Sequence, residues 1–349
     1  MARNAELAEL AESIFADSWD VAAAGLDRAA WKACDEAGLT TLTAPDTGGS
    51  LDDAAVLLEA AGAWAARVPL AETDLLAGWL ARAAGLDVPD GPLAVVVTGP
   101  TGDPRPAGTP GGTVTGDGAT VTADLVRVPW GRALSAVVVL DGGRVLVLDA
   151  GAATVTEGAN LAEEPRDGLR LDAVTPLATG AAPPGAAQEL VLRAALARAL
   201  LLAGAARGAL ARSIAYAGER NQFGRAIGRF QAVQQMLAEA GSEVAAASAA
   251  SAAATATAQR EGFAAPAAAF AVAAAKARCS EAAGAVARIA HQVHGAIGFT
   301  REHALRLTTT RLWAWRDEDG DEAFWNDRVG AAALDAGADG LWPLVTGRP

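Results

Sequence analysis

From Ala186 to about Leu334 the chain is alanine interleaved with Leu, Val, Met and Phe, and this stretch restricts the fold more than any other. Alanine is the strongest helix former. The larger apolar residues among the alanines give each helix something to bury, so the stretch predicts a packed helical bundle rather than low-complexity sequence. Breaks are expected at Asn221-Gln222-Phe223-Gly224, around Gly262 to Pro266, and at Gly295 to Thr300. Residues 1 to about 90 also read as helical, with apolar residues at helical spacing in Ala5 to Leu10 and Asp53 to Ala66. A loop at Ala44-Pro45-Asp46-Thr47-Gly48-Gly49-Ser50 separates those helices, and Ser50 is placed to cap the second. The middle is different. Leu93 to Thr98 and Ala136 to Leu140 are short β-branched runs, and Asp141-Gly142-Gly143 before Arg144 to Leu148 reads as a hairpin. Thr101 to Gly118, rich in Gly and Pro, reads as loop with one weak strand. The expected organisation is mainly α with a central β domain: an N-terminal helical domain over 1–90, a middle antiparallel β domain over 91–183 and a C-terminal four-helix bundle over 184–349.

Several function classes are disfavoured by charge and cysteine count. The net charge of −13 argues against nucleic acid and anionic membranes, since phosphates need cations. The most apolar stretch, Leu190 to Ala211, carries Arg193, Arg198 and Arg207, so no membrane span is expected. Met1 to Leu10 lacks the pattern of a signal peptide. Only two cysteines, Cys34 and Cys279, are present, which fits a reducing cytoplasm and no disulfide framework. His291, His294 and His303 lie close in sequence, but no nearby Asp or Cys completes a metal-ligand set, so no metal is expected.

Two C-terminal segments carry the chemistry. In Glu219 to Gln234, Arg220, Arg225 and Arg229 accompany an aromatic, two glycines and several amides. Guanidinium matches phosphate oxygens bidentately, although the same stretch also reads as a solvated turn between helices. In His291 to His303, Gly295 and Gly298 allow either close approach to a ligand or close helix packing. Taken together, the two segments resemble signatures of the acyl-CoA dehydrogenase family: Arg220-Asn221-Gln222-Phe223-Gly224 and Gln292-Val293-His294-Gly295-Ala296-Ile297-Gly298-Phe299, in the family's order and separation. Thr43 to Gly49 is similar to the family's proline–acid–Gly-Gly loop, and Val128-Pro129-Trp130-Gly131 to Val139 to a strand segment of its middle domain. The resemblance implies FAD, bound partly by a neighbouring subunit. Arg220 would bind the pyrophosphate, Gln222 and Phe223 would contact the cofactor, Gln231 would reach the adenosine end, and Gln292 and Gly295 would line the same dinucleotide. It further implies an acyl-CoA substrate and electron-transfer flavoprotein as acceptor.

The departures fall on the catalytic side. The family's base is a Glu about twenty residues beyond the Phe of the second signature, and here that count reaches Asp319, within Arg316-Asp317-Glu318-Asp319-Gly320-Asp321-Glu322. Glu318 could substitute with a shift of one residue, and the run also reads as a solvated acidic loop. The family's alternative base position is Ala194, and Glu189 is more than a turn away. Thr310 stands where an Arg is usual, Gly320-Asp321-Glu322 replaces a Gly-Thr cofactor contact, and Val97-Thr98-Gly99-Pro100 is the nearest piece to the flavin-cradling Thr-Glu-Pro. The expectation is a subunit of a flavin-dependent acyl-CoA dehydrogenase, nearly inactive alone and paired with a related subunit in a heterotetramer, as short bacterial members are. Its rivals are an active homo-oligomer using Asp319 and a binding or scaffolding protein on the same fold.

Overall fold

The computed structural model describes residues 2–98, 106, 108–116 and 119–346. The N-terminal part holds α1 (Ala2–Asp17), α2 (Arg28–Glu36), α3 (Leu51–Ala63), and a π-helical segment, Ala71–Gly78, that continues into α4 (Trp79–Ala83). Ser50 does cap α3: its side chain accepts from the Asp53 backbone N–H. Among the described residues, eight strands of the middle part form two four-stranded sheets. One has the order β1 (Leu93–Thr98), β4 (Ala136–Asp141), β5 (Arg144–Asp149), β8 (Ala178–Ala181), and the other the order β2 (Gly111–Thr115), β3 (Val121–Pro129), β7 (Arg166–Val174), β6 (Thr154–Thr156). All these pairings are antiparallel except that of β1 with β4, which is parallel. Gly142, at φ 57°, makes the tight turn of the β4–β5 hairpin.

The alternation along β4 shows how the sheet joins the molecule together. Val137 and Val139 pack into the core between the two sheets, while Ala136, Val138 and Leu140 belong to the helical core. A strand covered on both faces reads as an unbroken apolar run. The run from Val128 to Val139 is not one strand, however. Trp130, at φ 58°, ends β3, a 3₁₀ turn follows at Gly131–Ala133, and β4 begins only at Ala136. Part of the expected Thr101 to Gly118 loop, and Gly99 and Pro100 with it, lies outside the described residues; its described portion contains β2.

The C-terminal part is built on α5 (Ala186–Glu219), α6 (Gln231–Glu261), α7 (Pro266–His294) and α9 (Glu322–Thr346), with the shorter α8 (Leu305–Arg316) between the last two. The breaks fall where Gly and Pro predicted them. A two-residue ribbon, β9 (Asn221–Gln222) with β10 (Arg225–Ala226), turns α5 into α6, and Gly262, at φ 78°, closes α6 before α7 starts at Pro266. Glycines let α3 and α5 meet backbone to backbone. A Cβ on Gly204 would lie 2.0 Å from the Glu59 carbonyl oxygen, and one on Gly62 would lie 2.2 Å from that of Leu201.

Candidate functional site

A cleft opens where the π-helical segment, β1, the first half of α5 and the turn between α8 and α9 converge. Its wall is aliphatic, with Leu76, Val95, Leu190, Val191 and Ala194, and its floor is charged, with Glu72, Arg166, Arg198, Glu318 and Asp319. The π-helical segment positions three consecutive polar residues, all buried. Thr73 ties it to β1, accepting from the Leu93 N–H at 3.0 Å. Asp74 ties it to the Pro-Asp-Thr-Gly-Gly loop, accepting from Thr43 N–H and Oγ1 at 2.9 and 2.8 Å. Glu72 is left facing the cleft.

The acidic run after α8 is not a solvated loop at the two residues that matter. Glu318 is 3 % exposed and Asp319 7 %. Arg166 explains the first, donating from Nε and Nη2 to the two Glu318 oxygens at 2.9 and 2.8 Å, with Asn160 adding a third bond at 3.0 Å. Arg198 explains the second, donating from Nε to Asp319 Oδ2 at 3.0 Å and approaching Glu318 at 3.3 Å. The network continues inward, since Glu164 accepts from Arg166, Arg311 and the Trp315 indole at 3.2, 3.0 and 2.8 Å. Burial alone would raise the Glu318 carboxyl, but the two guanidiniums and the bonds from Arg166 and Asn160 outweigh it and hold the pKa at about 2. Below the turn, Lys276 Nζ donates to the carbonyls of Arg316 and Gly320 at 2.9 and 2.7 Å and to Ser280 Oγ at 3.1 Å. Trp325 Nε1 donates to the Asp319 carbonyl at 2.9 Å, and Asp319 itself sits at φ 55°. Ala194 lines the cleft without a proton-accepting group.

Glu72 differs from its neighbours. It is buried, and among the described residues the cation nearest it is Arg198, at 3.9 Å, while no side chain donates a hydrogen bond to it. Burial pushes its carboxyl above the ordinary range by more than Arg198 and Arg166 pull it down.

The six other residues singled out in the sequence lie elsewhere. Because α5, α6 and α7 run up, down and up, the end of α5, the start of α6 and the end of α7 share one end of the bundle. Tyr216 joins them, stacked on His294 at 4.4 Å between ring centroids. Arg220, Gln222, Phe223 and Gln231 are exposed there, as are Gln292 and Gly295. Phe223, at φ 52°, is 92 % exposed. No side-chain hydrogen bond occupies Arg220, Gln222, Gln231 or Gln292 among the described residues. Gly295, at φ 67°, caps α7, and a Cβ there would meet nothing within 4 Å. Free guanidinium and amide donors beside an open backbone suit a dinucleotide's phosphates and polar ring edges. Arg225 instead covers the Phe230 ring at 4.2 Å. His291 stacks between Phe299 and Trp313, and among the described residues no group of three or more potential ligands could hold a metal ion. Cys34 and Cys279 are both free and buried.

Arg166, Glu164, Lys276 and Glu72 escaped the sequence reading, and Arg198 figured only as a charge in an apolar stretch. The available signal was charge inside apolar runs: Arg198 within Leu196 to Leu202, and Glu72 within Val68 to Leu76. Such residues are seldom fully buried unless paired.

Residues 185–322 match the family model described as acyl-CoA dehydrogenase, C-terminal domain. The chain is 31 % identical over 292 residues to acyl-CoA dehydrogenase IpdE2 of Mycolicibacterium smegmatis, covering 81 % of each. Among solved structures it is similar to the ChsE4–ChsE5 complex from Mycobacterium tuberculosis, with a TM-score of 0.80 at 22 % identity over 95 % of this chain and 97 % of that one. It is similar also to a variant of the Tcur3481–Tcur3483 steroid ACAD, with a TM-score of 0.80 at 25 % identity over 97 % and 99 %. No helix among the described residues is long and apolar enough to cross a membrane.

Proposed function

This chain belongs to the acyl-CoA dehydrogenase family, and from that premise we propose that it works as one subunit of a flavin-dependent acyl-CoA dehydrogenase, in a mixed assembly with a related chain. One observation carries the proposal. Arg198, on the cleft, lies within α5, and Arg220, at the exposed end of the bundle, caps that same continuous helix, about 33 Å away at 1.5 Å per residue. A dinucleotide with its reactive ring in this cleft would not reach this chain's own Arg220. The exposed residues therefore serve a cofactor shared with another subunit: Arg220 on the pyrophosphate, Gln222 and Phe223 beside it, Gln231 toward the adenosine, and Gln292 and Gly295 along the same dinucleotide. When bound, FAD supplies a hydride acceptor for the β-carbon of an acyl thioester.

The pairing of Asp319 with Arg198 and of Glu318 with Arg166 supports a cleft whose usual base segment is locked. A general base has to lie free within reach of its proton, with a pKa near the working pH. Glu318, held at about 2, fails the second requirement, and Asp319, bonded to Arg198, fails the first. The test is to purify the chain alone and after co-expression with a related dehydrogenase subunit. Flavin content would be read by absorbance and turnover by reduction of an artificial electron acceptor with acyl-CoA thioesters. We expect little flavin and little turnover from the chain alone and both from the mixed assembly. Robust turnover by the chain alone, abolished by Asp319→Asn, would establish an active homo-oligomer instead. Protein that stays colourless in both preparations would point to a scaffold.

A further inference from the structure

We propose that Glu72 is the group in this cleft that removes a proton from the α-carbon of a bound acyl thioester. The ligand class rests on the function proposed above; the assignment of the proton acceptor rests on the cleft's own geometry.

Among the described residues three carboxylates face the cleft, and two are engaged. Both Glu318 oxygens receive Arg166, and Asp319 receives Arg198. Glu72 receives no donor from another side chain among the described residues, and Arg198 stands off at 3.9 Å, beyond hydrogen-bond range. That guanidinium is already taken by Asp319 and drawn toward Glu318, so it has little left to give Glu72. The result is a buried carboxylate with an unclaimed face, set beside the aliphatic wall formed by Leu76 and Val95. Burial also raises its affinity for a proton, which a carboxylate that is to accept one requires. The backbone adds a second observation. Glu72 lies in the π-helical segment, and π-helical turns are rare and occur frequently at functional sites. Thr73 and Asp74 pin that turn to β1 and to the Thr43 loop, so Glu72 is held by anchors on both neighbouring elements.

The step balances without an oxidant. The α C–H bond breaks, and its electron pair delocalises into the thioester carbonyl as an enolate. The proton passes to a Glu72 oxygen, which becomes a neutral carboxyl. One negative charge leaves Glu72 and one appears on the ligand, with the Arg198 cation beside both. Return of a solvent-derived proton completes an exchange that needs no flavin.

Exchange therefore separates Glu72 from the rest of the reaction. The protein, in the assembly in which it is isolated, is given a panel of acyl-CoA thioesters, and the one that binds best by calorimetry is incubated with it in deuterated buffer. Loss of the α-hydrogen signal is followed by NMR. We expect the wild type to exchange, and Glu72→Gln to bind the thioester with similar affinity while exchanging roughly 10²–10⁴-fold more slowly. Glu72→Asp, which keeps the charge beside Arg198 but withdraws it by one methylene, should bind as well and exchange at least about tenfold more slowly, because a small misplacement of a catalytic group is costly. This second variant keeps the test decisive if Glu72→Gln does not fold. Binding without exchange in the wild type, or undiminished exchange in the variants, overturns the assignment and leaves the proposed function standing. Failure of every thioester to bind overturns both.

Discussion

Arg166 joins two buried carboxylates, Glu164 and Glu318, and is itself 8 % exposed. Removing one member of such a cluster leaves charge buried without compensation, which costs about 3–5 kcal/mol. Arg166→Met should therefore lower the unfolding free energy by that order, as read by urea denaturation. Glu318 also makes stability depend on pH. Its folded pKa of about 2 lies below the unfolded value of 4.5, so its contribution is complete above pH 4.5 and is lost as pH falls toward 2. Burial pushes His291, His294 and His303 below their ordinary range, so the fold also loses stability as pH drops through the histidine range. Glu59, Glu72 and Asp74, raised by burial, act in the opposite sense, so the Glu318 effect is read from thermal melts of the wild type against Glu318→Gln between pH 7 and pH 3, where the difference between the two should shrink as pH falls. At the other end of the molecule, the proposed function makes Arg220 a phosphate ligand, and on that proposal Arg220→Ala would remove a charge-assisted contact worth roughly 1.5–3 kcal/mol. The flavin-to-protein ratio of the assembled complex should fall accordingly, at about tenfold or more in affinity. An unchanged ratio would mark Arg220 as a surface charge.

Helix α5 links the three parts of the chain. It packs on α3 through glycine, carries Arg198 to the cleft and ends at Arg220. Two glycine substitutions separate packing from helix propensity. Replacing Gly by Ala in a helix gains about 1 kcal/mol from propensity alone. At Gly204 the new Cβ would sit 2.0 Å from the backbone oxygen of Glu59, so α3 and α5 would have to move apart. Overpacking of this kind costs about 1–3 kcal/mol, and the clash wins. At Gly241, in α6, nothing lies within 4 Å of the added Cβ. Calorimetric melts should rank Gly204→Ala below the wild type and Gly241→Ala at or above it. The reverse order would mean that α3 and α5 are not in backbone contact.

Viewed as a whole, the molecule exposes apolar side chains where a subunit would be expected to meet others. Phe223 and Phe299 stand out from the end of the bundle that carries the two signatures, and Leu334 and Trp342 from α9, the latter two 84 % and 71 % exposed. Exposed apolar side chains suit an interaction surface where they adjoin one another across a subunit contact. Sedimentation of the chain at micromolar concentration, alone or with a related subunit, should show an oligomer, and Phe223→Asp should shift it toward smaller species. A stable monomer would remove the basis for a shared cofactor.

Much of the architecture was legible in the sequence because helices and hairpins are local. Alanine-rich periodicity gave the bundle, Asn221 to Gly224 and Gly262 to Pro266 gave its turns, and Asp141-Gly142-Gly143 gave the hairpin. The two signatures could be read because each is a contiguous stretch. The strands β3 and β6 to β8 were missed: β6 and β8 are short, β3 and β7 interleave charged residues with apolar ones, and all depend on partners far along the chain, as in the pairing of Val121 with Val174. The cleft was hidden for the same reason. Arg166 meets Glu318 across 152 residues, and Arg198 meets Asp319 across 121. A charge in a sequence states its sign and its reach but not its partner, so the sequence could nominate Asp319 by spacing. Only the tertiary structure decided that Asp319 and Glu318 are hydrogen-bonded to arginines while Glu72, with Arg198 at 3.9 Å, receives no side-chain hydrogen bond among the described residues, because burial and pairing are set by distances in space.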